Sequence, residues 1–466
     1  MLYLILILSF LLPLFGINQS FWLDEAAQVI ESVRPLSQQF NIQADFWPPF
    51  YHLLLHFWML VGNSEIWVRL LSVCFAVASV FIAYLIGKDL LKSKTALLGA
   101  VLLAINPFFI WYAQEARPYM LSVFFGLLTS LFLSRKKWIL YTIAVIFFLY
   151  TTYLSIFLLI SHLVYICVFG KKMIRKWFFC ITISMVALIP WMPSFFRQLL
   201  SGSGLTKSLP GWSEAVSVPL VKVLPLTFTK FILGRISIEN KFFYGLLVIV
   251  LFIVVSWLTS TALKKKAEEV WRLLILTGVP ILSAFLLSFV LPILAPQRVL
   301  FVLPFFMLIL AIGIQSLTSK RVKLIITFSI VALYFNSIFQ YMFNPKFGRE
   351  QWRQAVEYIE KMQVPTSIVI FVFPDAFAPW QWYSKSVVEA LAIAPSLTVK
   401  ESELSRFSPL LERINRIYYF HYLTDLTDPK KKTQKWLQQQ GFIEVSAQDF
   451  SGVGLVTTYE KAMAYR

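Results

Sequence analysis

Eleven apolar stretches run through the first 343 residues, at 2–17, 66–91, 95–112, 119–134, 138–152, 153–169, 177–196, 242–263, 273–294, 299–317 and 322–343, and Asp89, near the end of the second, is the one acidic residue within them. A helix crossing a bilayer needs about 20 apolar residues, within a range of roughly 17–25. Backbone in lipid must satisfy its own hydrogen bonds, so such a pattern admits little besides a bundle of spanning helices. The first, fourth and fifth stretches are short, and only Tyr150-Thr151-Thr152-Tyr153 separates the fifth from the sixth. Charged residues make up 14% of the chain, against about 25% in soluble domains. The first stretch lacks a basic leader and a small-residue cleavage site, so it is expected to remain as a helix.

Charge gives the bundle a direction. Of 42 Lys+Arg and 24 Asp+Glu, 27 and 11 fall in the first 343 residues and 15 and 13 in the rest. The basic excess gathers in five short loops: Lys88/Lys92/Lys94, Arg135/Lys136/Lys137, Lys171/Lys172/Arg175/Lys176, Lys264/Lys265/Lys266/Arg272 and Lys320/Arg321/Lys323. With eleven spans all five fall on one side, which the positive-inside rule makes cytoplasmic. The N-terminus is then inside. Eight of the eleven acids of this region lie outside: Asp24, Glu25, Glu31, Asp45, Glu65, Glu115, Glu214 and Glu239. No continuous basic face forms, which argues against nucleic-acid binding.

Two long loops are then external, 18–65 and 200–241. The first has helical spacing from Ala26 to Val33 with Asp24 at the N-cap position. Its apolar run Leu53 to Val61 is too short to span and reads as a surface helix. The second carries Gly, Ser, Pro and scattered Lys and reads as a partly mobile cover. From 344 to 466 the pattern changes to helices at 349–363, near Trp380, at 403–415 and at 429–440, alternating with strands at 367–373, 416–422, 442–446 and 453–459. The expected fold is a polytopic α-helical membrane domain, residues 1–343, with a small extracytoplasmic α/β domain, residues 344–466, whose sheet is partly parallel. That domain binds acceptor or caps a cavity; none of its residues reads as catalytic.

The chemistry-bearing residues cluster at outer helix ends. Asp24 and Glu25 are adjacent carboxylates where the chain leaves the apolar phase, either an N-cap with a first-turn acid or a reactive pair. The next outer loop, Trp111-Tyr112-Ala113-Gln114-Glu115-Ala116-Arg117-Pro118-Tyr119, brings an acid, a cation and a phenol to one helix end. Its plain alternative is an interfacial ion pair with a belt tyrosine. Arg298 supplies another outer cation, or snorkels. Together these groups suit transfer of a sugar from a lipid phosphate. A carboxylate takes the acceptor proton, and arginine forks stabilise the departing phosphate. The same acids suit a divalent ion that would carry the phosphate charge; no organic cofactor is expected. Cys74, Cys167 and Cys180 read as core residues, and His52/His56 as interfacial packing or, less readily, a metal pair.

The sequence resembles the GT-C glycosyltransferases, in the branch of the protein O-mannosyltransferases and the aminoarabinose transferases that modify lipid A. The resemblance rests on Trp22-Leu23-Asp24-Glu25, Asp45 with Pro48-Pro49-Phe50-Tyr51, Glu65 with Arg69-Leu70-Leu71-Ser72, and Tyr112 to Tyr119, in the family's order and spacing. Gln297-Arg298 and Gln351-Trp352-Arg353 fit as well. The match is strong over 1–135 and thin over 200–290. It implies Asp24 as the catalytic carboxylate, with Glu25 beside it, and a polyprenyl-phosphate sugar as donor. Arg69, Arg117, Tyr119 and Arg298 are then expected at the donor phosphate, and Asp45 and Glu115 as auxiliary acids or metal ligands. The acceptor would be a lipid, a glycan or a protein. Two positions depart from the pattern. Relatives often carry histidine before the Pro-Pro pair and within the Tyr-Thr-x-Tyr stretch; this chain has Trp47 and Thr152.

Two other classes use the same substrates. A flippase or transporter of lipid-linked sugars calls for ionisable groups inside spans or broken helices in related halves; here the acids gather in the loops and no halves repeat. A glycan polymerase or ligase should centre on a large late outer loop, whereas 200–241 is modest and poor in acids.

Overall fold

The computed structural model describes residues 1–42, 46–208, 218–385 and 387–462. The chain divides into two compact units. The first is Met1–Ile17, Arg34–Arg197 and Ser217–Phe347; the second is Asn18–Val33, Gln198–Val216 and Gly348–Arg466.

The first unit is a helix bundle, and each apolar stretch of the sequence is met by a helix. Among the described residues five helices are long and apolar enough to cross a membrane: Glu65–Leu90, Lys171–Ser201, Lys241–Leu287, Pro296–Ser316 and Lys320–Phe343. Ser93–Ala104 and Pro107–Ala113 make a sixth, bent by 60°. The bend has a local cause. Asn106 caps the second piece through the amides of Phe108 and Phe109, and Pro107 stands at its first position. The 47-residue helix Lys241–Leu287 is two helices joined at Lys266, whose φ and ψ of −144° and 50° are not helical. Leu2–Leu14, Tyr119–Ser134, Trp138–Leu149 and Ser155–Phe169 complete the set and are shorter.

Large apolar residues such as Phe242, Phe243, Ile249, Phe252, Ile253 and Trp257 stand exposed along one helix. That exposure suits lipid and would be untenable in water. Cys74 and Cys167 lie on this exterior and only Cys180 is buried, which corrects the expectation of three core cysteines. The chain is a multi-pass membrane protein. Its helices approach closely at small residues. A Cβ on Gly313 would come within 2.7 Å of Leu258 Cβ and 3.0 Å of its carbonyl oxygen. Gly313→Ala is therefore expected to cost about 1–3 kcal/mol. Thermal unfolding in detergent checks this, and an unchanged Tm would contradict the close approach.

The basic loops meet at one end of this bundle. Arg135 Nε lies 2.7 Å from Asp89. Arg272 donates to Tyr165 and stands 4.5 Å from the Phe169 ring centre. Lys265 Nζ reaches the Ser316 carbonyl at 2.6 Å. Asp89, Arg135, Tyr165, Glu268, Glu269 and Arg272 line an open cavity of about 710 Å³ there. Within loop 200–241, expected as a partly mobile cover, Leu220–Leu233 is a helix with Phe231, Ile232 and Leu233 buried. Asn106 Nδ2 donates to the Phe231 carbonyl at 2.8 Å.

The second unit is built on a five-stranded sheet. Its strands are β1 (Ser367–Phe371), β2 (Glu389–Ala392), β3 (Arg416–Phe420), β4 (Phe442–Phe450) and β5 (Gly454–Lys461), in the order β2-β1-β3-β5-β4. β1 pairs in parallel with β2 and β3, while β5 runs antiparallel to β3 and β4. Alternation along the strands sorts the core onto two faces. Ile368, Ile370, Ile417 and Tyr419 pack with Trp436 and Leu437 of the helix Lys432–Gln439. Val369, Phe371, Tyr418 and Phe420 pack with Trp352, Val356 and Ile359 of the helix Trp352–Met362. Leu23 packs against this second face. The segment bearing Asp24 thus belongs to the unit of the C-terminal sheet.

Candidate active site

In the second unit, Leu23–Val33 forms a helix with Asp24 and Glu25 in its first turn. Asp24 is therefore not the N-cap, because the helix begins one residue before it. Acids in a first turn are favoured by the unpaired amides of a helix start. One of those amides, Leu23 N, donates to Glu350 Oε2 at 3.3 Å. The cap comes from the C-terminal part of the chain. Just before the helix, Phe21 N donates to the Tyr383 hydroxyl at 2.7 Å, Ser20 Oγ donates to the Glu350 carbonyl, and Arg353 donates to the Asn18 carbonyl at 3.0 Å.

The two carboxylates have different surroundings. Glu25 is fully buried, with Oε2 3.7 Å from Arg349 Nη1, and that guanidinium is itself buried. Asp24 is half-buried and keeps an open side. Glu25 is thus fully enclosed, while Asp24 is only partly so. Glu350 lies beside them. Its Oε2 also accepts from Trp352 Nε1 at 2.7 Å, and its Oε1 accepts from the Tyr422 hydroxyl at 3.1 Å. Burial pushes its carboxyl up to about 7, against three hydrogen bonds that pull it down, and the charge of Asp24 pushes the same way as burial. Burial and the neighbouring Glu350 raise Tyr422 well above its usual range, so it stays a phenol.

The other candidates lie in the first unit. Pro107–Ala113 and Gln114–Arg117 carry a buried polar group. Trp111 Nε1 donates to Glu115 Oε2 at 3.2 Å, and Ser72 Oγ donates to the Glu115 carbonyl at 2.7 Å. Gln114 donates to the carbonyls of Pro13 and Phe15 at 2.6 and 2.5 Å, and Tyr341 donates to its amide oxygen. Arg117, 5% exposed, stands 5.8 Å from the centre of the Trp47 ring. Trp47 packs edge-on to Tyr119 at 5.5 Å, and Tyr119 packs against Tyr112 at 4.8 Å. Trp47, which stands where relatives often have histidine, thus adds an aromatic face to a cation.

Arg69 is fully buried, and its Nη1 reaches the Ile17 carbonyl at 2.7 Å. Arg298 is half-buried and donates to the Ile293 carbonyl at 3.1 Å. Its segment continues to Phe301, whose Cβ lies 3.2 Å from where a Cβ on Gly126 of the Tyr119–Ser134 helix would stand. The structure thus groups Arg117 with Tyr119 and Trp47, and Glu115 with Trp111. Asp45 lies outside the described residues. No cluster of three or more His, Cys, Asp or Glu occurs among those described, so a divalent ion is assigned to no residue.

Sequence reasoning missed Arg349, Glu350 and Tyr422. The one local signal was Gly348-Arg349-Glu350-Gln351-Trp352-Arg353, where three charges flank an aromatic at the opening of the C-terminal domain.

Comparison with known proteins adds to this geometry. Residues 47–196 match the family of dolichyl-phosphate-mannose-protein mannosyltransferases. No curated protein is matched by sequence. Among solved structures the chain is similar to ArnT from Cupriavidus metallidurans in the apo state, with 12% identity, 98% of this chain and 97% of that one covered, and a TM-score of 0.63. For the same protein bound to undecaprenyl phosphate the figures are 11%, 99%, 97% and 0.58. The oligosaccharyltransferase of Archaeoglobus fulgidus, in complex with Zn and sulfate, is matched at 11% identity over 99% of this chain and 73% of that one, with a TM-score of 0.56. Residues 47–196 are thus similar to the protein mannosyltransferases, and over nearly its whole length the chain shares the fold of ArnT.

Proposed function

We propose that the chain transfers a sugar from a polyprenyl-phosphate donor to an acceptor hydroxyl, with Asp24 as the base. The acceptor O–H gives its proton to Asp24, the acceptor oxygen bonds to the anomeric carbon, and the bond from that carbon to phosphate oxygen breaks. The electron pair leaves on the polyprenyl phosphate, whose charge Arg117 and Arg298 meet, with Tyr119 and Arg69 supporting them. The observation that carries this reading is the contrast between the two acids. Glu25 is fully buried, while Asp24 stays partly accessible at a helix start. The undecaprenyl phosphate held by the structurally similar ArnT supports the choice of donor.

The reaction belongs on the extracytoplasmic face. The gathering of the basic loops at one bundle end supports this, because positive loops stay in the cytoplasm. Asp24 and the sheet domain then lie outside.

The test is transfer by the purified full-length chain from a panel of polyprenyl-phosphate sugars differing in sugar and chain length. Turnover with at least one lipid-linked donor, and none with the matching nucleotide sugar, is the expected result. Turnover with nucleotide sugars alone would reject the donor class.

A further inference from the structure

The C-terminal domain supplies more than a cover. Glu350 opens that domain, yet its side chain serves the N-terminal segment. It accepts the amide of Leu23, the residue before Asp24, at 3.3 Å, and Trp352 Nε1 and the Tyr422 hydroxyl hold it at 2.7 and 3.1 Å. Trp352 is fully buried and stacks on Phe420 with ring centres 5.5 Å apart, so the carboxyl hangs from a rigid core residue.

The chain also makes room for it. Gly452 has a φ of +77°, and a Cβ there would come within 3.0 Å of Glu350 Cα and 2.9 Å of its Cγ. The turn that bears this glycine is tied down on both sides, with Gln351 N donating to the Ser451 carbonyl at 2.9 Å and Ser451 N to Gln351 Oε1 at 3.0 Å. Only glycine combines that conformation with that approach. The titratable groups that bear on Glu350 are Asp24 from the first-turn helix and Tyr422 beyond β3. Arg349, next in sequence, is engaged with Glu25.

We propose that Glu350 is a positioning residue for Asp24, fixing the helix start that carries it and tuning, as a second carboxyl, how readily Asp24 accepts a proton. The proposal rests on Asp24 being the base. Two neighbouring carboxyls titrate as a pair, and each disfavours the other's charge. With Glu350 titrating near 7, it is largely protonated in mild acid and Asp24 carries the charge alone. Above that range Glu350 ionises and raises the proton affinity of Asp24. A stronger base takes the acceptor proton more readily.

The experiment measures kcat and donor KM of the full-length protein from about pH 5.5 to about pH 8.5, a range that brackets this titration. Wild-type kcat is expected to rise through an inflection near pH 7. Glu350→Gln, which keeps an acceptor for Leu23 and Trp352 but cannot ionise, is expected to stay at the low-pH level, with donor KM within about twofold. Tyr422→Phe removes one hydrogen bond to the carboxylate, so its inflection moves to higher pH. An independent readout needs no substrate. The infrared difference between mildly acidic and mildly basic samples carries a protonated-carboxyl band in the wild type that Glu350→Gln lacks. An inflection that survives Glu350→Gln, or a carboxyl band unchanged by it, overturns the proposal. If Asp24→Asn stays fully active, the underlying reading of Asp24 fails instead, whatever Glu350 does.

Discussion

Asp24→Asn lowers kcat about 10³-fold, within the span of roughly 10²–10⁴ that a positioned base contributes. The substitution keeps size and hydrogen-bonding reach and removes only the ability to take a proton. Asp24 is only half-buried and the substitution is isosteric, so the variant is expected to fold with little change in Tm. Donor KM should move little, because the groups proposed to meet the phosphate are arginines elsewhere in the chain. Single-turnover transfer from the donor found active in the panel measures the effect. Activity within a few-fold of wild type would remove Asp24 from the chemistry and leave the fold assignment untouched.

The second large effect is on stability. Arg349→Met leaves the Glu25 carboxylate buried beside an apolar side chain. Breaking one half of a buried ion pair costs about 3–5 kcal/mol. Both side chains are almost wholly shielded, at 1% and 0% exposure, so solvent offers little relief. The second unit should therefore melt early and become sensitive to protease. Adding Glu25→Leu to Arg349→Met removes the orphaned charge and should restore most of the loss. Thermal melting of both proteins in the same detergent decides the matter. Equal destabilisation by the single and double changes would mean that the pair itself contributes little. Glu25, on this account, holds the helix start in place while its neighbour does the chemistry.

Much of the fold could be read from the sequence, for specific reasons. The bundle was legible because long apolar runs with charges mostly between them have few other solutions. β1 and β3 were legible because Ser367–Phe371 and Arg416–Phe420 are dense in Ile, Val, Tyr and Phe. β2 was not, because Glu389–Ala392 is four residues of Glu, Ala and Leu with no strand preference. The helix Leu220–Leu233 was hidden by Pro219, Pro225, Lys222 and Lys230, which interrupt its apolar pattern. The carboxylates and the Arg117 cluster stood out because polar groups at helix ends near lipid are conspicuous. Arg349 and Glu350 did not. Their partners Glu25 and Leu23 lie more than 320 positions earlier, as the separation of 327 between Leu23 and Glu350 shows. No local spacing encodes such a pair.

That separation bears on how the protein is made. The helix carrying Asp24 leaves the ribosome well ahead of Glu350, since Leu23 and Glu350 are 327 positions apart. The groups that seat it, Arg349, Glu350, Trp352, Tyr383 and Tyr422, emerge only after the whole bundle, and Gly452 comes later still. At synthesis rates of about 5–20 residues per second, that wait lasts tens of seconds. During it Leu23–Val33 lacks both its cap and the partner of its buried acid. A chain truncated between the end of the bundle and the last strands would hold Arg69, Arg117 and Arg298 and still lack the groups that seat Asp24. On the proposed reading of Asp24 as the base, competence is thereby tied to completion of translation.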